Sequence, residues 1–343
     1  MIEKYCNSLT KYSRWKTREV FIGSVGIGGG QPIRLQSMTT TDTMNTEATV
    51  DQCIKMIDAG CELIRITTPS KKEAQNLQKI KDLLFKKGYR QPLIADVHYT
   101  PNAAEIAAKI VEKVRINPGN YADKKRFQKI EYTDDEYNLE IERIKFKLMP
   151  LIKISKEHNT VIRIGTNHGS LSDRILSRYG DTPEGMVESA MEFVRIFSSE
   201  NHHQLVLSMK SSNPKVMIAA YRLLVFQMKK EKMNYPLHLG VTEAGDGIDG
   251  RIKSAIGIGS LLEDGIGDTI RVSLTEPPEN EIPVALNILN HIKNKTNFKK
   301  IGSIKETNFN PFSYVKRKSR VVYNVGGGKV PIVISDLSLK SKI

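Results

Sequence analysis

The chain has 343 residues, 39% hydrophobic and 7% aromatic, with 52 Lys and Arg against 38 Asp and Glu, a formal net charge of +14. That length allows two or three average domains, or one large barrel with an appendage. No apolar run approaches the roughly 20 residues of a membrane span, and the lysines are spread along helical segments without the interleaved aromatics of a nucleic-acid groove, so membrane and nucleic-acid partners are not expected.

The opening MIEKYCNSLTKYSRW lacks an apolar core of signal-peptide type. The expected compartment is cytoplasmic, or plastid-like for a plant-type source. EVFIGSVGIGGGQPI reads as a small hairpin plugging the N-terminal face of the strand–helix region after it. Its glycines read as turn residues and not as a phosphate loop, because no helix succeeds them. Cys6, Cys53 and Cys61 show no CxxC spacing, and their odd, sparse count argues against a disulfide framework. Cys53 and Cys61 read as small core residues, and no metal site is expected.

Eight apolar strand candidates can be counted: PIRLQSM (32–38), LIRITT (63–68), PLIADV (92–97), EKVRIN (112–117), VIRIGTN (161–167), LVLSMK (205–210), LHLGVT (237–242) and TIRVSLT (269–275). Each precedes a segment of helical periodicity, near 47–60, 71–87, 101–110, 134–158, 183–199, 213–232, 251–264 and 280–294. Thr46 with Glu47, Thr100-Pro101, Thr182-Pro183 and Asn213-Pro214 mark helix starts, and Gly60, Gly88 and Gly265 mark returns to strands. Strictly alternating strands and helices imply parallel pairing through right-handed crossovers. Eight such units predict an α/β fold, a (β/α)8 TIM barrel. A doubly wound open sheet is the runner-up. Residues 1–294 are assigned to the barrel, with a charged insertion at 121–145 expected to add a surface helix. Residues 295–343 are assigned to a basic linker and the beginning of a second, inserted domain, with VVYNVGGGKVPIVISDL forming two strands around a Gly-rich turn.

Five cations recur in the apolar strand runs: Arg65, Arg115, Arg163, Lys210 and Arg271. A charge is costly to bury there, so five strands that each tolerate one are expected to share a single pocket. Alternation along a strand places Thr67, Asn117, Asn167, Ser208, Ser273 and Thr275 on the same faces. It also sets His238, Gly240 and Thr242 in step, with Glu243 just beyond, while Asp96 and His98 end the third strand. Asp96 and Glu243 could act as internal counter-ions, but two carboxylates cannot neutralise five cations. A ligand with several negative charges is therefore expected, gripped through bidentate arginine contacts. Glu243 is the candidate acid/base. The Gly-rich TEAGDGIDGR, with Lys253 and Ser254 nearby, is a weak phosphate-loop signal. A metal site from Asp96, His98, His168 and Glu243 is disfavoured by the arginines around it. Lys210 as a Schiff-base lysine gives the main rival, a self-contained class I aldolase-like barrel enzyme on a phosphorylated substrate; a dihydropteroate-synthase-like barrel is another.

RLQSMTTTDT, AGCELIRIT, ADVHY, VRINPGNY, RIGTNHGSLSDR, SMKSSNP, HLGVTEAG, IKSAIGIGSLL and GIGDTIRVSLT together resemble the 4-hydroxy-3-methylbut-2-enyl diphosphate synthase (IspG or GcpE) family, nearly continuously over residues 18–290. The insertion and the tail resemble its larger, three-domain form. The resemblance implies an oxidoreductase of non-mevalonate isoprenoid biosynthesis that reductively opens 2-C-methyl-D-erythritol 2,4-cyclodiphosphate. It further implies a [4Fe-4S] cluster, with ferredoxin or flavodoxin as electron donor. The residues matching substrate-binding positions are Arg65, Asp96, Arg115, Arg163, Asn167, Lys210, Thr242 and Ser273. Asn117, His98, His168 and Arg271 are secondary candidates, and Glu243 matches the proton donor. The family's cluster ligands, three cysteines and a glutamate of a C-terminal domain, have no match here. The resemblance thus implies a chain that binds the cyclodiphosphate without reducing it, and leaves open whether it is a homodimer.

Overall fold

The computed structural model describes residues 5–123, 131–293, 301–302, 310–313 and 315–334. Two short strands come first, β1 (Val20–Ile22) and β2 (Val25–Ile27), paired antiparallel. Eight more succeed them: β3 (Arg34–Met38), β4 (Leu63–Thr67), β5 (Leu93–Asp96), β6 (Lys113–Ile116), β7 (Val161–Asn167), β8 (Leu205–Lys210), β9 (His238–Leu239) and β10 (Thr269–Ile270). They pair in parallel in the order β8-β7-β6-β5-β4-β3-β10-β9. The two free edges meet through a single parallel bridge, Leu207 to Leu237, where the Leu207 N–H donates to the Pro236 carbonyl at 2.9 Å. The sheet therefore closes on itself as the expected (β/α)8 barrel.

The helices are α1 (Thr46–Asp58), α2 (Lys71–Lys86), α3 (Pro101–Ala108), α4 (Pro118–Tyr121), α5 (Asp134–His158), α6 (Asp173–Tyr179), α7 (Pro183–Ser199), α8 (Pro214–Lys230), α9 (Gly247–Glu263) and α10 (Glu281–Lys293). Eight of them are the expected crossover helices; α4 and α6 are short turns of helix in the loops after β6 and β7 that periodicity does not reveal. Local chemistry sets several starts. Ser70 with Glu73 and Thr133 with Glu136 form reciprocal capping boxes. Asn45 caps α1, one residue before the expected Thr46. No helix among the described residues is long and apolar enough to cross a membrane.

The pleat sorts the barrel's residues. Ile64, Ile66, Ile116, Ile162, Ile164 and Leu207 join the buried cluster that also contains apolar residues of the surrounding helices, such as Met56, Leu77, Leu148, Phe193 and Leu224. A separate inner cluster unites Leu63, Ile94, Val161 and Val206 with Val20, Ile22 and Ile27 of the hairpin. The hairpin is thus an apolar floor for the barrel. Above it the inward positions turn polar, and that is where the site lies.

Three expectations need correction. The 121–145 segment carries no separate helix among its described residues. Its second half is the first part of α5, the helix expected over 134–158, which the Thr133–Glu136 capping box starts at Asp134 and which runs on for 25 residues; residues 124–130 lie outside the described residues. Strand pairing in β9 and β10 stops after two residues each, because the chain beyond leaves for the rim, where the Thr242 N–H donates to the Ser211 carbonyl at 3.2 Å. Among the described residues of the tail, only Val322 and Val325 form a bridge, around Tyr323 and Asn324, ahead of the glycines. Residues 315–334 are largely exposed, so no buried face holds a longer ladder. Residues 335–343 lie outside the described residues.

Candidate functional site

Five inward-facing cations do converge. Arg65, Arg115, Arg163 and Lys210 are buried in the lumen on β4, β6, β7 and β8, and Arg271, one residue past β10, is half-buried beside them. The register puts Arg115 opposite Asp96 on one side and opposite Arg163 on the other. A sixth basic side chain, Lys113, lies one step deeper on β6 and is fully buried. Strand alternation could have found it, since it stands two residues before Arg115, but its position between apolar neighbours at the barrel floor hides it.

The counter-ions are few. Asp96, fully buried, pairs with Arg65 at 2.5 Å and with Arg115 at 3.2 Å, and takes a third contact from His98 Nε2 at 3.0 Å. Burial alone would raise its carboxyl. Arg65, Arg115 and His98 together outweigh that and hold it well below the usual carboxylate range. Arg271 pairs with Glu281 of α10 at 3.4 Å, and Glu281 also accepts from the Ser37 hydroxyl and the Leu274 N–H. Sequence reasoning missed Glu281 and named Glu243 instead. Glu243 is exposed at the rim, and no salt bridge joins it to the arginines among the described residues. Its backbone stands at φ 50°, a left-handed conformation costly for a residue with a side chain.

Among the described residues, Arg163, Lys210 and Lys113 have no carboxylate partner. Arg163 donates to Ser208 Oγ at 3.1 Å, and Lys113 Nζ to Gln36 Oε1 at 3.2 Å. Burial, then Arg65 and Arg115, push the Arg163 guanidinium down from its ordinary value. A guanidinium keeps its proton under such pressure, so its charge persists and seeks an anion. Burial and Asp96 act oppositely on Arg65, which settles at about 10. Burial, then the surrounding arginines, drive the Lys210 ammonium far below the usual lysine range.

Two glycines make room for these side chains. A Cβ on Gly165 would stand 2.6 Å from Arg115 Nε, and one on Gly240 would stand 3.0 Å from Lys210 Nζ. Arg115 cannot retreat, since it is buried and also donates to the Gly165 carbonyl at 2.8 Å. Gly165→Ala is therefore expected to cost about 1–3 kcal/mol through overpacking, visible as a lower midpoint in urea denaturation. No loss of stability would show that Arg115 is free to move.

The remaining candidates divide. Asn117 is buried beside the ring with its Oδ1 unpartnered. Asn167 ends β7 opposite Lys210, and Thr242 and Ser273 are half-buried at the rim. His168 turns away, toward Asp181 at 3.4 Å. Ser254 is buried with its hydroxyl unpartnered, while Lys253 is exposed on α9. Among the described residues no three His, Cys, Asp or Glu side chains group as metal ligands. The rim loop after β7 is pinned by buried Arg174, which pairs with Asp123 at 2.7 Å and Glu192 at 2.6 Å while Tyr137 of α5 donates to Glu192.

Residues 17–286 match the family model described as the GcpE TIM-barrel domain. The chain belongs to the GcpE family. The GcpE family relatives include 4-hydroxy-3-methylbut-2-en-1-yl diphosphate synthase (flavodoxin) of Phocaeicola vulgatus, 56% identical over 96% of this chain and 54% of the relative. The same-named proteins of Leptospira interrogans and Protochlamydia amoebophila are 56% identical over 88% of this chain and 46% of the relative, and 58% identical over 82% and 43%. The chain spans about half the length of these GcpE relatives. Among solved structures, dihydropteroate synthase of Yersinia pestis superposes with a TM-score of 0.50 at 12% identity, covering 81% of this chain and 98% of that one. That likeness concerns the barrel fold alone.

Proposed function

We propose that this chain is the substrate-binding barrel of an oxidoreductase that opens 2-C-methyl-D-erythritol 2,4-cyclodiphosphate to 4-hydroxy-3-methylbut-2-enyl diphosphate. One observation carries the reading: the five converging basic side chains, Arg65, Arg115, Arg163, Lys210 and Arg271, face only two carboxylate partners, Asp96 and Glu281, among the described residues. A cyclic diphosphate supplies the missing negative charge, and membership of the GcpE family favours it over the aldolase-like and dihydropteroate-synthase-like alternatives. In this reading Arg115, Arg163 and Lys210 bind phosphoryl oxygens, with Arg65 held in place by Asp96. Asn117, Asn167, Thr242, Ser273, His98 and Arg271 complete the rim. Glu243, exposed and with no arginine salt bridge among the described residues, donates a proton to the departing oxygen. His168, turned to Asp181, is the weakest of the candidates. Residues from 295 onward begin a second domain.

The [4Fe-4S] cluster implied by the resemblance does not fit the residues described. Cys53 and Cys61 are buried thiols that desolvation pushes up to about 12, and Cys6 is also buried and raised. Such thiols resist the deprotonation that ligation requires. The described residues therefore carry no electron-transfer step of their own, and flavodoxin is the electron donor that the relatives' names suggest.

Calorimetric titration with the cyclodiphosphate tests the reading. Binding with one ligand per chain is expected, weakening as salt rises but less steeply than for surface charges, because the pocket is buried. Absence of heat at millimolar ligand would sink it.

A further inference from the structure

Beneath the arginine ring lies a polar layer that the proposed reading does not use. Lys113 reaches across the lumen from β6 to Gln36 on β3, its one hydrogen-bond partner among the described residues. In register, Lys113 stands between Ile94 and Val161 of the apolar floor. The charged and titratable groups that act on it are Arg163 from β7 and Arg65 from β4, with His238 of β9 also within electrostatic reach. None is a carboxylate. Gln36 Nε2 and His238 Nε2 are buried without partners, as are the Nε atoms of Arg65, Arg115 and Arg163. The layer is thus rich in donors and poor in negative charge.

We propose that Lys113 is a proton-uptake site coupled to the anion pocket: neutral while the pocket is empty, it takes one proton from solvent when a polyanion seats above it. Two facts of geometry support this. A lysine, unlike an arginine, can shed its charge when buried, and Lys113 is fully buried two residues before Arg115 on the same strand face, hydrogen-bonded to Gln36 and with no salt bridge to an acid among the described residues. Desolvation, then Arg163 and Arg65, depress its ammonium well below the ordinary lysine range, in keeping with the geometry. An anion on those same arginines cancels their repulsion, so protonation of the Nζ lone pair becomes favourable. The proton comes from bulk water or buffer. It does not come from the ligand, because the phosphates of a cyclic diphosphate are diester-like and fully ionised at neutral pH.

The coupling sets a sign. A site that gains a proton on binding makes affinity fall as pH rises, by about tenfold per pH unit for one proton, between the empty and the occupied pKa of the lysine. Lys113 would then act as a positioning residue that tunes the pocket toward polyanions, which alone bring enough charge to recharge it.

The inference rests on the pocket being an anion site but not on the identity of the anion. The test accordingly uses two ligands, the cyclodiphosphate and trimetaphosphate, a cyclic polyanion that also carries no titrating proton near neutrality. Calorimetry at pH 7 in buffers of different ionisation enthalpy counts protons taken up per ligand bound. The wild-type chain is expected to take up about one proton more than Lys113→Met, and the variant's affinity should depend on pH about tenfold less steeply per unit. Lys113→Gln serves as a second variant should Met disturb the floor. Wild-type uptake of zero, or uptake unchanged in both variants, overturns the proposal. Uptake with trimetaphosphate but no binding of the cyclodiphosphate leaves it standing while removing the proposed substrate. Failure of both anions to bind overturns both.

Discussion

Replacing Asp96 with asparagine is expected to lower the unfolding free energy by about 3–5 kcal/mol, the size typical when one partner of a buried ion pair is removed. The substitution keeps the shape and removes the charge. Arg65 and Arg115 would then face each other and Arg163 deep in the barrel with no acid between them. Against a total stability of order 5–15 kcal/mol, that is a large share. The pH dependence has a definite sign. The folded-state carboxyl is depressed below its unfolded value, so its contribution is present above about pH 4 and is lost as pH falls through the folded value. The variant should therefore lose less stability on acidification than the wild type. Urea denaturation followed by circular dichroism between pH 3 and 7 measures both effects. A loss under about 1 kcal/mol would mean that Arg65 and Arg115 do not depend on this carboxylate.

Arg163→Met should behave in the opposite way. Among the described residues Arg163 has no carboxylate to abandon, its side chain bonding only the Ser208 hydroxyl, so its removal takes an unpaired charge out of the barrel. Stability is expected to stay level or to rise, as when buried charges give way to apolar groups of similar size. Affinity for the cyclodiphosphate should fall by about thirtyfold or more, since losing a buried charge that meets a ligand charge costs about 2–5 kcal/mol. Thermal melting and calorimetry on the same preparation separate the two. Unchanged affinity would remove Arg163 from the binding set and count heavily against the proposed substrate. A matching fall in stability would instead indicate that the residue serves the fold.

The contrast between these two residues shows how far sequence carries. Alternation along LIRITT, KVRIN and VIRIG identifies which side chains share a face, because the pleat has a period of two. Eight strand–helix units imply one barrel, so the arginines could be gathered from sequence alone. Periodicity carries no information on height within the lumen or on partners. Lys113 shares Arg115's face yet sits at the floor. Glu281 neutralises Arg271 from a helix whose own pattern only marks its apolar side, whereas Glu243, adjacent in sequence to a site position, faces solvent. His168 is drawn off by Asp181, a residue thirteen positions on in a loop that has no repeat to read. The shortness of β9 and β10 is equally hidden, since apolar runs persist past the point where the backbones diverge.

The single bridge at Leu207 and Leu237 makes the junction of β8 and β9 the thinnest part of the wall. Lys210 lies on one lip of that junction and Thr242 on the other, joined beyond the bridge by the contact from Thr242 to Ser211. A molecule held by both residues would lace the seam shut. Occupancy and the hoop strength of the barrel would then be one property, so that an empty pocket is also a loosened cylinder, opening first where its staves are joined least.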